Sequence, residues 1–154
     1  MRKNPERVFR NGICYAFTDG SKIRNSISSA WIVTNAVSNK IYLDGGGRTS
    51  YEQTIDYEKE IIRMNTKLSS TRAEAQAVMQ LHMALNEIKP DGVITRLGID
   101  SMSTINTYNK LDAMTSQQKV NLPNWDIWNI IYEYKKHWGK VWTYHTPSHM
   151  DDYM

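Results

Sequence analysis

The sequence predicts a single α/β domain, on two observations. Its first half carries short apolar runs of strand length without a helical period, and from Thr71 the apolar residues switch to three- and four-residue intervals. The resulting order, βββαβαα and a final β, implies three antiparallel strands followed by strands joined through helices. At 154 residues, 40% hydrophobic and 23% charged, the chain has the size and composition of one domain with its own core.

Residues 1–11 are polar and basic, with Arg2, Lys3, Arg7 and Arg10, and read as an N-terminal arm ahead of a domain spanning 12–154. GICYAFTD (12–19) is apolar and aromatic, a strand buried on both faces. Cys14, the lone cysteine, sits inside it as a small buried hydrophobe, so no disulfide scaffold is expected. SSAWIVTN (28–35) is a second strand, and KIYLD (40–44) or the later IIRMNTK (61–67) a third. Between these last two, GGGRTSYEQTIDYEKE reads as an extended loop or insertion over 44–60. Its glycines lack the Lys-Ser/Thr context of a phosphate-binding loop.

Ala77, Val78, Leu81, Leu85 and Ile88 place an apolar stripe on a helix that ends before Pro90. VITRLGI (93–99) is a strand, SMSTINTYNK (101–110) a short helix, and LDAMTSQQKVNLP a polar connector. Trp125, Trp128, Ile131 and Tyr132 stripe a helix over 124–137, and KVWTYHT (140–146) is the last strand. No apolar run reaches membrane-spanning length and no signal-peptide pattern opens the chain. An intracellular protein is expected, with no basic import run to choose nucleus over cytoplasm. The net charge of +3 permits a polyanionic partner. The basic cluster of Lys135, Lys136, His137 and Lys140 reads equally as a solvated face or a nucleic-acid footprint.

Three carboxylates occupy equivalent places in this framework. Asp19 ends the first strand, Glu74 opens the first long helix, and Asp100 ends the strand VITRLGI. Each has a local explanation. Asp19-Gly20 is a turn signature, although the apolar pattern resumes only at Ser29–Ala30, which argues against a tight hairpin. Thr71-Arg-Ala-Glu74 has the form of a capping box, and Asp100 precedes a helix it could cap. Glu74 nevertheless lies one turn before Ala77 and Val78 on the same face, which points it toward the sheet. Ligands of open α/β sheets bind at the carboxyl ends of strands. Adjacent parallel strands would bring Asp19 and Asp100 together there, with Glu74 approaching from the helix. Clustered carboxylates raise one another's pKa unless cations neutralise them, and hard oxygen ligands suit Mg²⁺ or Mn²⁺. Metal-dependent phosphodiester chemistry is the reading that follows.

AFTDGSK, STRAEAQAV, IDSMSTIN, LPNWDIW and WTYHTPSH together resemble, in order and at element ends, the type 1 ribonuclease H family, closest in style to the ribonuclease H domains of retroelement polyproteins. The resemblance covers roughly 12–154. It implies a ribonuclease H-like mixed five-stranded sheet flanked by helices, and hydrolysis of the RNA strand of RNA–DNA hybrids. By resemblance Asp19, Glu74 and Asp100 hold two divalent ions, Mg²⁺ or Mn²⁺, and His149 matches a mobile histidine that assists proton traffic or product release. Lys67, Ser69 and Asn124 match a pocket for a phosphate of the DNA strand, with Ser70 where an asparagine is common. Asn124 also reads as an N-cap for the helix that follows. Expected partners are RNA–DNA hybrid and other domains of a larger polyprotein, with no membrane, and the chain is expected as a monomer.

The resemblance also sets departures. NKLDAMTSQQKVNL is shorter than the basic, tryptophan-containing projection of many relatives, and carries only Lys110 and Lys119. The family has a fourth carboxylate about ten residues after the histidine matching His149, on a C-terminal helix. Asp151 and Asp152 stand too close to His149 to match it. The expectation is a domain truncated at its C-terminus, with impaired cleavage. The competing reading is a site that works with three carboxylates and a substitute fourth, and a different class altogether is a non-catalytic, connection-type nucleic-acid-binding domain.

Overall fold

The computed structural model describes residues 13–23, 26–35, 41–50, 69–88, 94–138 and 141–146. Five strands form one sheet: β1 (Ile13–Ile23), β2 (Ser26–Asn35), β3 (Ile41–Ser50), β4 (Ile94–Ile99) and β5 (Val141–His145), in the spatial order β3-β2-β1-β4-β5. β1, β2 and β3 pair antiparallel, whereas β1–β4 and β4–β5 pair parallel. The mixed five-stranded sheet implied by the resemblance is therefore present.

The helices are α1 (Ser70–Ile88), α2 (Met102–Lys110), α3 (Ser116–Val120) and α4 (Trp125–Trp138). Cys14, Ala16, Val33, Leu97 and Ile99 turn one sheet face toward Val78, Leu81 and Leu85 of α1, Ile105 and Tyr108 of α2, and Trp128 and Ile131 of α4. The period-2 pattern of the strands and the stripes of α1 and α4 thus meet in one core. Phe17 and Ile32 are buried on the opposite face, beside Tyr15 and Tyr144, so β1 is covered on both sides as its composition implies. Burial pushes the Cys14 thiol up to about 11, as expected of an inert core residue.

Four local expectations are corrected. β1 does not end at Asp19 but runs on to Ile23, with Asp19 opposite Ala30 and Gly20 opposite Ser29, so the Asp-Gly step lies inside the strand. The third strand is the earlier of the two candidates, and Gly45–Ser50 belong to it; Gly45 lies opposite Trp31, whose ring occupies the space of a side chain there. The region 61–67, like most of the insertion, lies outside the described residues. The connector is not irregular: Leu111–Ala113 form a 3-10 turn and α3 follows, capped by Thr115 in a reciprocal box with Gln118. Finally, Ser69, not Thr71, caps α1, its Oγ accepting the Arg72 N–H at 3.1 Å. Glu74 is thereby released from a capping role.

Candidate active site

The site begins with a glycine. A Cβ on Gly20 would fall on the backbone of Ala73 and Glu74, so only glycine lets the first turns of α1 lie directly on β1. Ala73 is fully buried at this contact. The close approach carries Glu74 to the sheet, where its carboxylate accepts the Gly20 N–H and is left only 8% exposed.

Asp19 and Asp100 reach the same place from adjacent parallel strands. The β1–β4 pairing ends at Thr18 opposite Ile99, and the next residue on each strand is the aspartate. Asp19 therefore stands at the end of the parallel ladder, although not at the end of its own strand. Asp100 is not a helix cap: Ser101 caps α2, accepting the Thr104 N–H at 3.3 Å. One carboxylate oxygen from each of Asp19, Glu74 and Asp100 lies within 4.8 Å of the others.

Such an arrangement is electrostatically costly without a cation. Burial, and then the charges of Asp100 and Asp19, push the Glu74 carboxyl up to about 8, against the partial relief of the Gly20 N–H. Glu74 Oε2 and Asp100 Oδ1 are buried with no hydrogen-bond partner among the described residues. Opposite ligands of a six-coordinate Mg²⁺ stand about 4.2 Å apart, so the three carboxylates fit the span of one hard cation. The donor set is all oxygen and anionic, as Mg²⁺ and Mn²⁺ prefer.

The residues matched to the phosphate pocket divide. Ser69 is the cap of α1, Ser70 is exposed beside it, and Asn124 precedes α4 with a positive φ of 62°. The Asn124 carbonyl accepts the Ile127 and Trp128 N–H groups at 2.9 and 3.0 Å, so its backbone caps α4 as expected. Its side chain is held by Arg72, which was not singled out in the sequence. Arg72 Nη1 donates to Asn124 Oδ1 at 3.2 Å, and the guanidinium grips Asp126 at 3.0 and 2.7 Å. That bidentate pair keeps the Asp126 carboxyl below its ordinary range and locks the starts of α1 and α4 together. Lys67, His149, Asp151 and Asp152 lie outside the described residues. A further histidine does reach the site: His145, at the end of β5, places Nε2 3.0 Å from the Asp100 carbonyl.

A mixed sheet of order β3-β2-β1-β4-β5, with carboxylates where β1 and β4 stop pairing and a third on the crossover helix, defines a ribonuclease H-like fold. Solved structures bear this out. The RNase H1 of the halophilic archaeon Halobacterium salinarum NRC-1 matches with a TM-score of 0.65 at 16% identity, over 92% of this chain and 90% of that one. The foamy viral protease-reverse transcriptase in complex with RNA/DNA hybrid matches at 0.64 and 14% identity, over 99% of this chain and 19% of the viral one. The PFV RNase H domain gives 0.58 at 12% identity, over 90% of this chain and 80% of that one. No family model and no curated protein matches the sequence. Among the described residues no helix is long and apolar enough to cross a membrane.

Proposed function

We propose that this chain is a ribonuclease H, hydrolysing the RNA strand of RNA–DNA hybrids. The observation that carries the reading is the triad itself: three carboxylates pressed together where the parallel pairing of β1 and β4 stops, with two buried oxygens unpartnered among the described residues. Such a cluster is costly to hold, because each unpaired buried oxygen costs about 1–3 kcal/mol. Solved neighbours on the same fold include an RNase H1 in complex with RNA/DNA hybrid, which supports hybrid as the substrate.

Asp19, Glu74 and Asp100 are the residues that would hold two divalent ions, Mg²⁺ or Mn²⁺. Bound there, such ions supply positive charge to a scissile phosphate and lower the pKa of a water. The protein's own contribution is preorganisation. The β1–β4 ladder fixes the two aspartates, the Gly20–Ala73 contact fixes Glu74, and Glu74, whose carboxyl is pushed up to about 8, would give up its proton to hold a cation. His149 is assigned proton traffic or product release, either of which a histidine can serve. Lys67, Ser69, Ser70 and Asn124 are assigned the grip on a DNA-strand phosphate, which sets register without reading sequence. The expected products carry 5′-phosphate and 3′-hydroxyl ends.

The test is cleavage of an end-labelled RNA–DNA hybrid with Mg²⁺ or Mn²⁺ by this chain and by Asp19→Asn. Cutting confined to the RNA strand and absent from the variant supports the proposal. Hybrid binding without metal-dependent cutting would overturn it in favour of a non-catalytic binding domain.

A further inference from the structure

Three carboxyl groups held within 4.8 Å of one another need something stiffer than their own side chains to keep them there. Asp19 has the antiparallel ladder to Ala30 on one side. Glu74 has the helix and the Gly20 N–H. Asp100 has neither. It lies in the bend between β4 and α2, outside both, and its Oδ1 meets no hydrogen-bond partner among the described residues. Ser101 after it caps α2, and the Ile99 and Asp100 carbonyls are held from the end of β5. There Thr146 N–H donates to the Ile99 carbonyl at 3.0 Å, and the His145 ring lies 3.0 Å from the Asp100 carbonyl.

A carbonyl only accepts, so His145 Nε2 carries the hydrogen and the tautomer is set by this contact. The strand register explains why the ring arrives there. Ile99 stands opposite His145, so the last side chain of β5 reaches the first carbonyl that β4 no longer pairs. Ser101 anchors the far side of the peptide following Asp100, and without the His145 donor that peptide loses the restraint on its carbonyl, so the carboxylate is aimed less firmly at the other two.

We infer that His145 is a positioning residue for the metal site, acting through the Asp100 carbonyl; this rests on the metal-binding reading above. It does not touch the reacting atoms. Its role is to aim a ligand, as outer partners of metal ligands do when their loss costs roughly 10–100-fold in affinity.

The test is Mn²⁺ binding by calorimetry to the full chain, to His145→Phe, which keeps a ring without a donor, and to His145→Gln, which restores an N–H. Thermal melts in chelator accompany each, and His145→Ala replaces the Phe variant if that one does not fold. The expected result is an affinity lowered about tenfold in His145→Phe, recovery toward wild type in His145→Gln, and metal-free melting that does not follow the same order. Equal Mn²⁺ affinity in wild type and His145→Phe overturns the inference while leaving the metal reading intact. A wild-type chain that binds no Mn²⁺ removes the metal reading itself, and this inference with it.

Discussion

Two polar clusters border α1, and they are built on opposite rules. At its start, Glu74 faces Asp19 and Asp100, three carboxyl groups with two buried oxygens unpartnered among the described residues. About two turns further along, His82 is buried and its Nε2 lies 2.9 Å from the Tyr108 hydroxyl, with the two rings stacked. Lys135 closes this second cluster. Its ammonium donates to the Tyr108 carbonyl at 2.7 Å, sits 4.4 Å from the Tyr108 ring centroid, and pairs with Asp112 at 2.9 Å. Every polar atom named in the second cluster has a complement. In the first, Glu74 Oε2 and Asp100 Oδ1 have none among the described residues. That contrast separates a site from a strut more sharply than burial, which the two share.

The largest consequence concerns activity. Asp19→Asn and Asp100→Asn each remove a charge the proposed ions need, and hybrid cleavage should fall by well over 100-fold, since even an outer partner of a metal ligand is worth roughly 10–100-fold. Tyr108→Phe, which strips the hydroxyl from His82, should leave cleavage within about twofold of wild type, because fold alone does not set the chemistry. Comparable losses in both would mean that the clusters differ only in appearance.

Stability should respond with the opposite sign. The Glu74 carboxyl is pushed up to about 8 in the folded protein from an ordinary value of 4.5, so the folded state holds a proton that the unfolded state releases between those values. In chelator this group makes the protein less stable as pH rises from 5 to 8. Glu74→Gln has no such proton, and its stability relative to wild type should climb by about 1–3 kcal/mol over that window. Urea unfolding at both pH values measures the difference directly. Added Mn²⁺ should stabilise wild type at pH 8 and leave Glu74→Gln little changed.

His82 supplies the mirror image. Burial, and then Lys135, lower its pKa from 6.5 to about 4. The unfolded chain therefore takes up a proton between pH 6.5 and 4 that the folded chain refuses, and stability is lost as pH falls through that window. Tyr108→Phe should cost about 1–3 kcal/mol at neutral pH by orphaning a buried imidazole nitrogen, which lowers Tm by several degrees in a domain of this size.

The first cluster was legible in the sequence and the second was not, for one physical reason. Asp19, Glu74 and Asp100 read as carboxylates at strand and helix ends, and although β1 runs past Asp19, its parallel pairing with β4 stops there, which is what brings them together. His82 and Tyr108 interrupt apolar stripes, and which polar residue is satisfied inside a core depends on contacts across three elements. The same blindness produced the local corrections. Asp19-Gly20 has turn chemistry, yet Gly20 serves the approach of α1, and Gly45–Gly47 have loop chemistry, yet they lie flat in β3 alongside Trp31 and Ser29. Arg72 passed unnoticed because its partners, Asn124 and Asp126, stand more than fifty positions away.

The smallest expected effect tests whether charge or burial makes the second cluster a strut. Lys135 and Lys136 are neighbours on α4 and both form ion pairs, at 2.9 Å to Asp112 and 3.1 Å to Glu133. The Lys135 side chain is 14% exposed and also caps the Tyr108 carbonyl, whereas that of Lys136 is 45% exposed and faces a partner one turn away. An exposed pair at that spacing is worth about 0.3–0.5 kcal/mol, so Lys136→Ala should lie near the error of a urea titration. Lys135→Ala should cost about 1–3 kcal/mol, because it strands a partly buried carbonyl as well as a carboxylate. Each variant deletes one positive charge from the same turn of the same helix, so a general charge effect predicts equal losses. Unequal losses in this direction mean that the strut is held by complete pairing in a water-poor place, the condition that the carboxylates beside Gly20 lack.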